Sequence, residues 1–177
     1  MKKFLCVLLI AALSVFALTA CGGGGNKPSE TGESQQSQPA AKDGYTFSYK
    51  DVELAVGAEF TADMLNALGE PKNYTEQTSC YFQGLDKTYY FGSFYLYVGA
   101  PENAPEYVMA IELVDDTVAT KEGLAIGDGK DKVESLYGAE GFNGSNQYTV
   151  TNGNMNLIIQ LSGDKVSSIQ YHELTAE

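Results

Sequence analysis

The sequence has no arginine and no tryptophan, a single histidine, and three cysteines among 177 residues. Each scarcity excludes something. Nucleic-acid binding needs clustered Lys and Arg against the phosphates, and here lysines are few and scattered, so no nucleic-acid partner is expected. A zinc site needs three or four Cys, His or carboxylate ligands at short spacing, and no such run occurs. His172 and Cys80 form the one conceivable Cys–His pair. They are far apart in sequence and nothing marks a third, orienting group, so no nucleophilic site is expected. The stretch Gly127–Glu134 (GDGKDKVE) has Lys130 and Lys132 where a calcium loop needs acids, and reads as a helix-capping turn. Gly22–Gly25 precede neither strand nor helix, so they are no phosphate cradle. The expectation is a non-enzyme with no catalytic residue, no metal and no cofactor.

What is present begins with Met1-Lys2-Lys3, an apolar run from Phe4 to Ala17 broken by Ser14, and the segment LTAC ending at Cys21. Charge, apolar run and small residues in that order make a secretory signal. The run is too short for a transmembrane helix, which needs about 20 apolar residues. LTAC resembles the bacterial lipobox, which implies cleavage before Cys21 and lipidation of its thiol. Two or more acyl chains hold stably to a bilayer where one does not. The protein is therefore expected to be lipid-anchored through Cys21 on the extracytoplasmic face of the cell membrane. Loss of residues 1–20 leaves 9 lysines against 23 acids, a net charge of −14. Anionic lipid does not attract such a chain, so the acyl groups must do the anchoring. Cys6 leaves with the signal and Cys21 is spent on lipid, which excludes an intramolecular disulfide for Cys80.

Residues 21–44 contain almost nothing apolar beyond Ala and Pro and read as a disordered tether, with an end-to-end distance of roughly 25 Å. Residues 45–177 are long enough for one domain with its own core. Leu54–Gly57 (LAVG) returns as Leu124–Gly127 (LAIG), and each copy precedes a short helical pattern ending in glycine: MLNALG to Gly69 and VESLYG to Gly138. Thr61 is the expected N-cap of the first helix, with Phe60 and Leu65 as a hydrophobic staple; Asp128 or Gly129 caps the second. Helices of two turns do not survive alone and must lie on a sheet. SCYFQ, TYYF and FYLYV supply strands after the first helix, YTVT and NMNLIIQL after the second, and VMAIEL and VSSIQY end the two units. The fold class expected is α+β, with two tandem units at about 45–116 and 117–177, each a short helix on an antiparallel meander.

Gly92-Ser93 and Asn152-Gly153 are two-residue hairpin signals. Tyr89, Phe91, Phe94, Leu96 and Val98 form the core face of the first hairpin. Val150, Met155, Leu157, Ile159 and Leu161 form that of the second, in the opposite phase relative to its turn. A bulge or a longer turn in one hairpin would reconcile them.

The twofold order of helix, glycine and strand meander resembles the tandem fold of the β-lactamase inhibitory protein and of small outer-membrane-assembly lipoproteins. TKEGLAIGDGKDKVESLYG is similar to secreted lipoproteins of Gram-positive bacteria without assigned function. The resemblance implies a fold and a secreted, anchored protein, and no particular activity. The residues themselves offer one candidate surface. Twelve tyrosines fall in the domain, and the Gly92-Ser93 register puts Tyr90, Tyr95 and Tyr97 on the face opposite the core set. Tyrosine gives rigid, amphipathic contact area and is enriched in binding surfaces. Either a partner covers these rings or another part of the chain does. Two functions follow: a non-enzymatic module binding a protein or envelope polymer, or a binder of a small sugar or peptide. Oligomeric state is not legible.

Overall fold

The structure is a computed structural model that describes residues 44–142, 144 and 146–173. The expected signal at residues 1–20, the lipidation site Cys21 and the tether up to residue 43 lie outside the described residues. Among the described residues, nine strands and two helices run in the order β1 (Thr46–Tyr49), β2 (Val52–Ala55), α1 (Ala62–Leu68), β3 (Asn73–Thr78), β4 (Gly84–Tyr90), β5 (Phe94–Pro101), β6 (Tyr107–Leu113), α2 (Lys130–Tyr137), β7 (Gln147–Asn152), β8 (Met155–Ser162) and β9 (Lys165–Glu173). Strands β3 to β9 make one antiparallel sheet in the order β3-β4-β5-β6-β9-β8-β7, and β1 and β2 form a separate hairpin.

This corrects the expected fold class. The protein is mostly β, with 50% strand against 12% helix, and is not a balanced α+β tandem. The strands of both repeats join one sheet because their last strands, β6 and β9, pair with each other at its centre, Ile111 opposite Tyr171 and Leu113 opposite Ile169. The helices, of seven and eight residues, do not form a layer comparable to the sheet.

Repetition persists at the level of hydrogen bonds. Gly57 N–H donates to the Val108 carbonyl at 2.7 Å and Gly127 N–H to that of Val166 at 2.8 Å. Val108 N–H returns to Ala58 O and Val166 N–H to Asp128 O, both at 2.9 Å. Gly57 and Gly127 have φ of 76° and 87°, a region that costs a side chain with a Cβ, which is why both LAVG and LAIG end in glycine. One bulge falls at matching places. Val98 pairs with Val108 while Tyr97 pairs with Ala110, leaving Met109 extra; Leu161 pairs with Val166 while Gln160 pairs with Ser168, leaving Ser167 extra.

The core lies on one face of the sheet. Phe47 and Leu54 of the β1–β2 hairpin, Leu68 of α1 and Val133 of α2 pack over Phe94, Leu96, Ile111, Leu157, Ile159 and Tyr171. The Phe47 ring meets Phe94 edge-on at 5.0 Å and Tyr171 at 6.1 Å. Thr61 caps α1, its Oγ1 accepting from Met64 N–H at 3.2 Å. Gly129 caps α2 without a side chain. The last carbonyls of each helix are satisfied from outside: Lys50 Nζ donates to Leu68 O at 2.6 Å, and the Tyr148 hydroxyl to Tyr137 O at 2.8 Å, as unpaired helix-end carbonyls require.

Two local expectations fail. SCYFQ is not a strand; Asn73–Thr78 is, and residues 79–83 connect it to β4. All six residues of β3 are exposed, so this edge strand carries no apolar alternation to betray it. The second hairpin turns on Gly153-Asn154, since Asn152 pairs with Met155. The pair flanking the turn then lies on the core side like Phe91 and Phe94, and the phase conflict vanishes with no bulge in either hairpin. The bulges sit one strand pair further in.

Candidate functional site

The face of the sheet opposite the core carries the tyrosines. Tyr90 pairs with Tyr95 and Thr88 with Tyr97 across the Gly92-Ser93 turn. Gly92 at φ 100° opens that turn, and Phe91 N–H donates to Phe94 O at 3.0 Å to close it. Tyr90, Tyr95 and Tyr97 are each half-buried, and none belongs to the hydrophobic core cluster. They cover one another: the Tyr90 and Tyr95 rings stack at 4.6 Å with 25° between planes, and Tyr95 and Tyr97 lie 6.2 Å apart at 26°. Rings stacked side by side direct edges and hydroxyls, not faces, outward.

The strip continues into side chains that sequence reasoning missed. Glu112, the register partner of Tyr95 on β6 and of Gln170 on β9, is the hub of the face. Its Oε2 accepts the Tyr97 hydroxyl at 3.0 Å, and its Oε1 accepts Gln170 Nε2 at 3.0 Å and Ser168 Oγ at 3.3 Å. Burial, and the bond to this carboxylate, push the Tyr97 hydroxyl up to about 12. Tyr107 joins the same face at its other end, opposite Gly99. A Cβ on Gly99 would come within 2.7 Å of the Tyr107 ring, so the glycine lets that ring lie across β5. Simple alternation could not find this set. The bulge at Met109 puts Tyr107, Ala110 and Glu112 on one face, although the first two are three residues apart.

The other sequence candidates are dispersed. Cys80, expected as an inward or interface-facing strand residue, is exposed in the β3–β4 connection, because the segment assigned as its strand is a loop. His172 lies on β9 beside Ala110 and Asn156, with β4, β5 and β6 between it and β3, so the two do not form a pair. Asp128 does not cap α2, whose N-cap is Gly129; its Oδ2 accepts Ala125 N–H at 2.7 Å and Lys132 Nζ at 2.8 Å. The lysine bond is the main reason that its carboxyl is held below the usual range. Among the described residues no group of three or more His, Cys, Asp or Glu is placed to hold a metal, and no helix is long and apolar enough to cross a membrane.

Comparison of the chain with family models, curated proteins and solved structures found no match.

Proposed function

We propose that this chain is a lipid-anchored, non-enzymatic binding module that presents the Tyr90–Tyr95–Tyr97 face to a protein or envelope polymer outside the cell membrane. The observation that carries this reading is internal to the molecule. Aligned through the hydrogen bonds shared by its two halves, Tyr90 corresponds to Thr149, Tyr95 to Ile158 and Tyr97 to Gln160. The same scaffold is built there without tyrosine, so the fold does not demand three rings at these places. A half-exposed aromatic strip with no structural need is what a binding face looks like. The stacking supports a macromolecular partner over a sugar laid on the rings, since a sugar needs a free ring face.

The test exchanges the halves: Tyr90→Thr, Tyr95→Ile and Tyr97→Gln, singly and together, in the lipidated protein used as bait in the native envelope. Central tyrosines of an interface cost about 2 kcal/mol each on removal, so capture should be lost in the triple variant while the melting temperature stays within a few degrees. Retained capture, or a collapsed fold, sinks the proposal. Cys21→Ala tests the anchor separately; if that variant is still cleaved and still fractionates with membranes, lipidation at Cys21 is wrong.

A further inference from the structure

The two edges of the sheet are finished differently. On β7 the outward N–H of Thr149 donates to Gly141 O at 3.1 Å, and Phe142 bridges Tyr148. β3 has no such cover. Ser79 N–H donates to Gly84 O at 3.0 Å, so in the β3–β4 register Asn73, Thr75 and Gln77 turn their backbone groups to β4. Tyr74, Glu76 and Thr78 turn theirs outward, and no strand lies beyond β3 among the described residues. Edge strands are commonly blunted by lysine, proline or a bulge. β3 contains neither residue and pairs with β4 without a register shift. It also carries Tyr74, 42% exposed and one of two large hydrophobic residues exposed among those described.

Such an edge accepts another strand through its main chain, and the side chains decide which strand. We infer that β3 pairs antiparallel with β3 of a second copy of this chain, about a twofold axis at Tyr74. The outward backbone groups belong to alternate residues, so the axis must pass through a residue and not between two. An axis at Glu76 sets like charges directly opposite, and one at Thr75 sets the two carboxylates diagonal. An axis at Tyr74 sets Tyr74 against its own copy and Lys72 against Glu76 on both sides, an aromatic pair flanked by opposite charges. Lys72 has no carboxylate partner among the described residues. This twofold stands perpendicular to the joined sheet. Both tyrosine faces then point one way, and both copies of β1, which pack over the core, lie on the other side. Copies anchored in one membrane, as proposed above, need both chain entries on one side. The segment 72–76 buries less than the roughly 1,600 Å² of a standard interface, so the pairing belongs to copies concentrated on a surface. It uses none of the three tyrosines assigned to a partner, and Cys80 stays accessible outside the paired span.

The test places single cysteines at positions 73 to 78 of the full-length lipidated protein carrying Cys80→Ser. Native membranes are oxidised with copper phenanthroline and disulfide-linked dimer is measured. Yield should be greatest for Tyr74→Cys and lower for Asn73→Cys and Thr75→Cys. Thr78→Cys should give about tenfold less, because its two copies stand roughly 26 Å apart at 3.3 Å per residue. With Tyr74→Cys, Lys72→Glu and Glu76→Lys should each lower the yield about tenfold, and the two together should restore it. Uniform yield along the scan, a maximum elsewhere, no dimer from folded protein, or no recovery in the double variant each overturns the proposal. None of these results touches the tyrosine face, which the bait experiment decides. If Tyr74→Cys does not fold, Thr75→Cys, one residue from the axis, carries the same charge exchange.

Discussion

The two halves of the sheet are alike where they meet the core and unlike where they meet solvent. Tyr89 and Tyr148, Leu96 and Ile159, Val98 and Leu161, Val108 and Val166, and Ile111 and Ile169 are corresponding pairs, and every one is buried. On the opposite face, Tyr90, Tyr95, Tyr97, Tyr107 and Glu112 correspond to Thr149, Ile158, Gln160, Lys165 and Gln170. One side is constrained by volume and apolarity, the other is free to differ. Each half thus acts as a control for its partner, separating what the fold requires from what one surface has added.

The comparison breaks most severely if the cores are not equivalent. Leu54 and Leu124 occupy the same place in the two LAVG-type turns and neither is exposed at all. Leu54→Ala and Leu124→Ala should each cost about 2 to 5 kcal/mol, the range for a buried leucine that leaves a cavity. Because β6 and β9 pair directly, either loss should lower one shared cooperative transition. Two separable transitions in calorimetry would mean that the halves are independent bodies.

Much of this scaffold was legible. Glycine after a short apolar pattern gave both helix ends, Thr61 its cap, and Gly92-Ser93 the register that pairs Tyr90 with Tyr95. What was not legible has identifiable causes. Helical punctuation says where a helix stops, not how small a share of the fold it makes, so two short helices suggested an α+β tandem in a chain that is mostly β. Asn152-Gly153 is a strong hairpin signal, but burial of Met155 selects the turn one residue later. β3 carries one aromatic, Tyr74, and no apolar alternation to mark it, and the neighbouring Cys80-Tyr81-Phe82 supplied a false strand. Glu112 and Tyr107 came into view only with the bulge at Met109, since a shift of one residue exchanges faces.

A smaller effect distinguishes the halves by pH. Tyr97 has a raised hydroxyl, at about 12, while its counterpart Gln160 does not ionise. A phenol whose folded value lies above the unfolded value of about 10 costs the folded state stability as pH climbs from one to the other. Below about pH 10 both states hold the proton and Tyr97 contributes no pH slope. Above it the unfolded state loses the proton first, so ionisation favours unfolding and stability falls, levelling off only past about pH 12. Tyr97→Phe should flatten part of that fall between pH 10 and 12 in denaturant titrations, whereas Gln160→Glu should leave it unchanged. An identical alkaline slope in wild type and Tyr97→Phe would show that burial and the Glu112 bond do not hold the Tyr97 hydroxyl above its unfolded value.

The least effect on stability is expected where the halves correspond least. β3 is a six-residue edge strand whose counterpart beyond β7 is, among the described residues, only the isolated Phe142–Tyr148 bridge, and Cys80 follows β3 in an exposed loop. An exposed thiol in such a loop should react with a thiol reagent under native conditions at a rate within about tenfold of a free cysteine. It should do so without global unfolding, because loops at a sheet edge open at little cost. Cys80→Ser should change stability by no more than about 0.5 kcal/mol, as surface substitutions do. Slow labelling that accelerates only in denaturant would mean that Cys80 is covered in the intact protein. The β3 edge would then be a buried surface, and the asymmetry between the halves would extend to what each edge contacts.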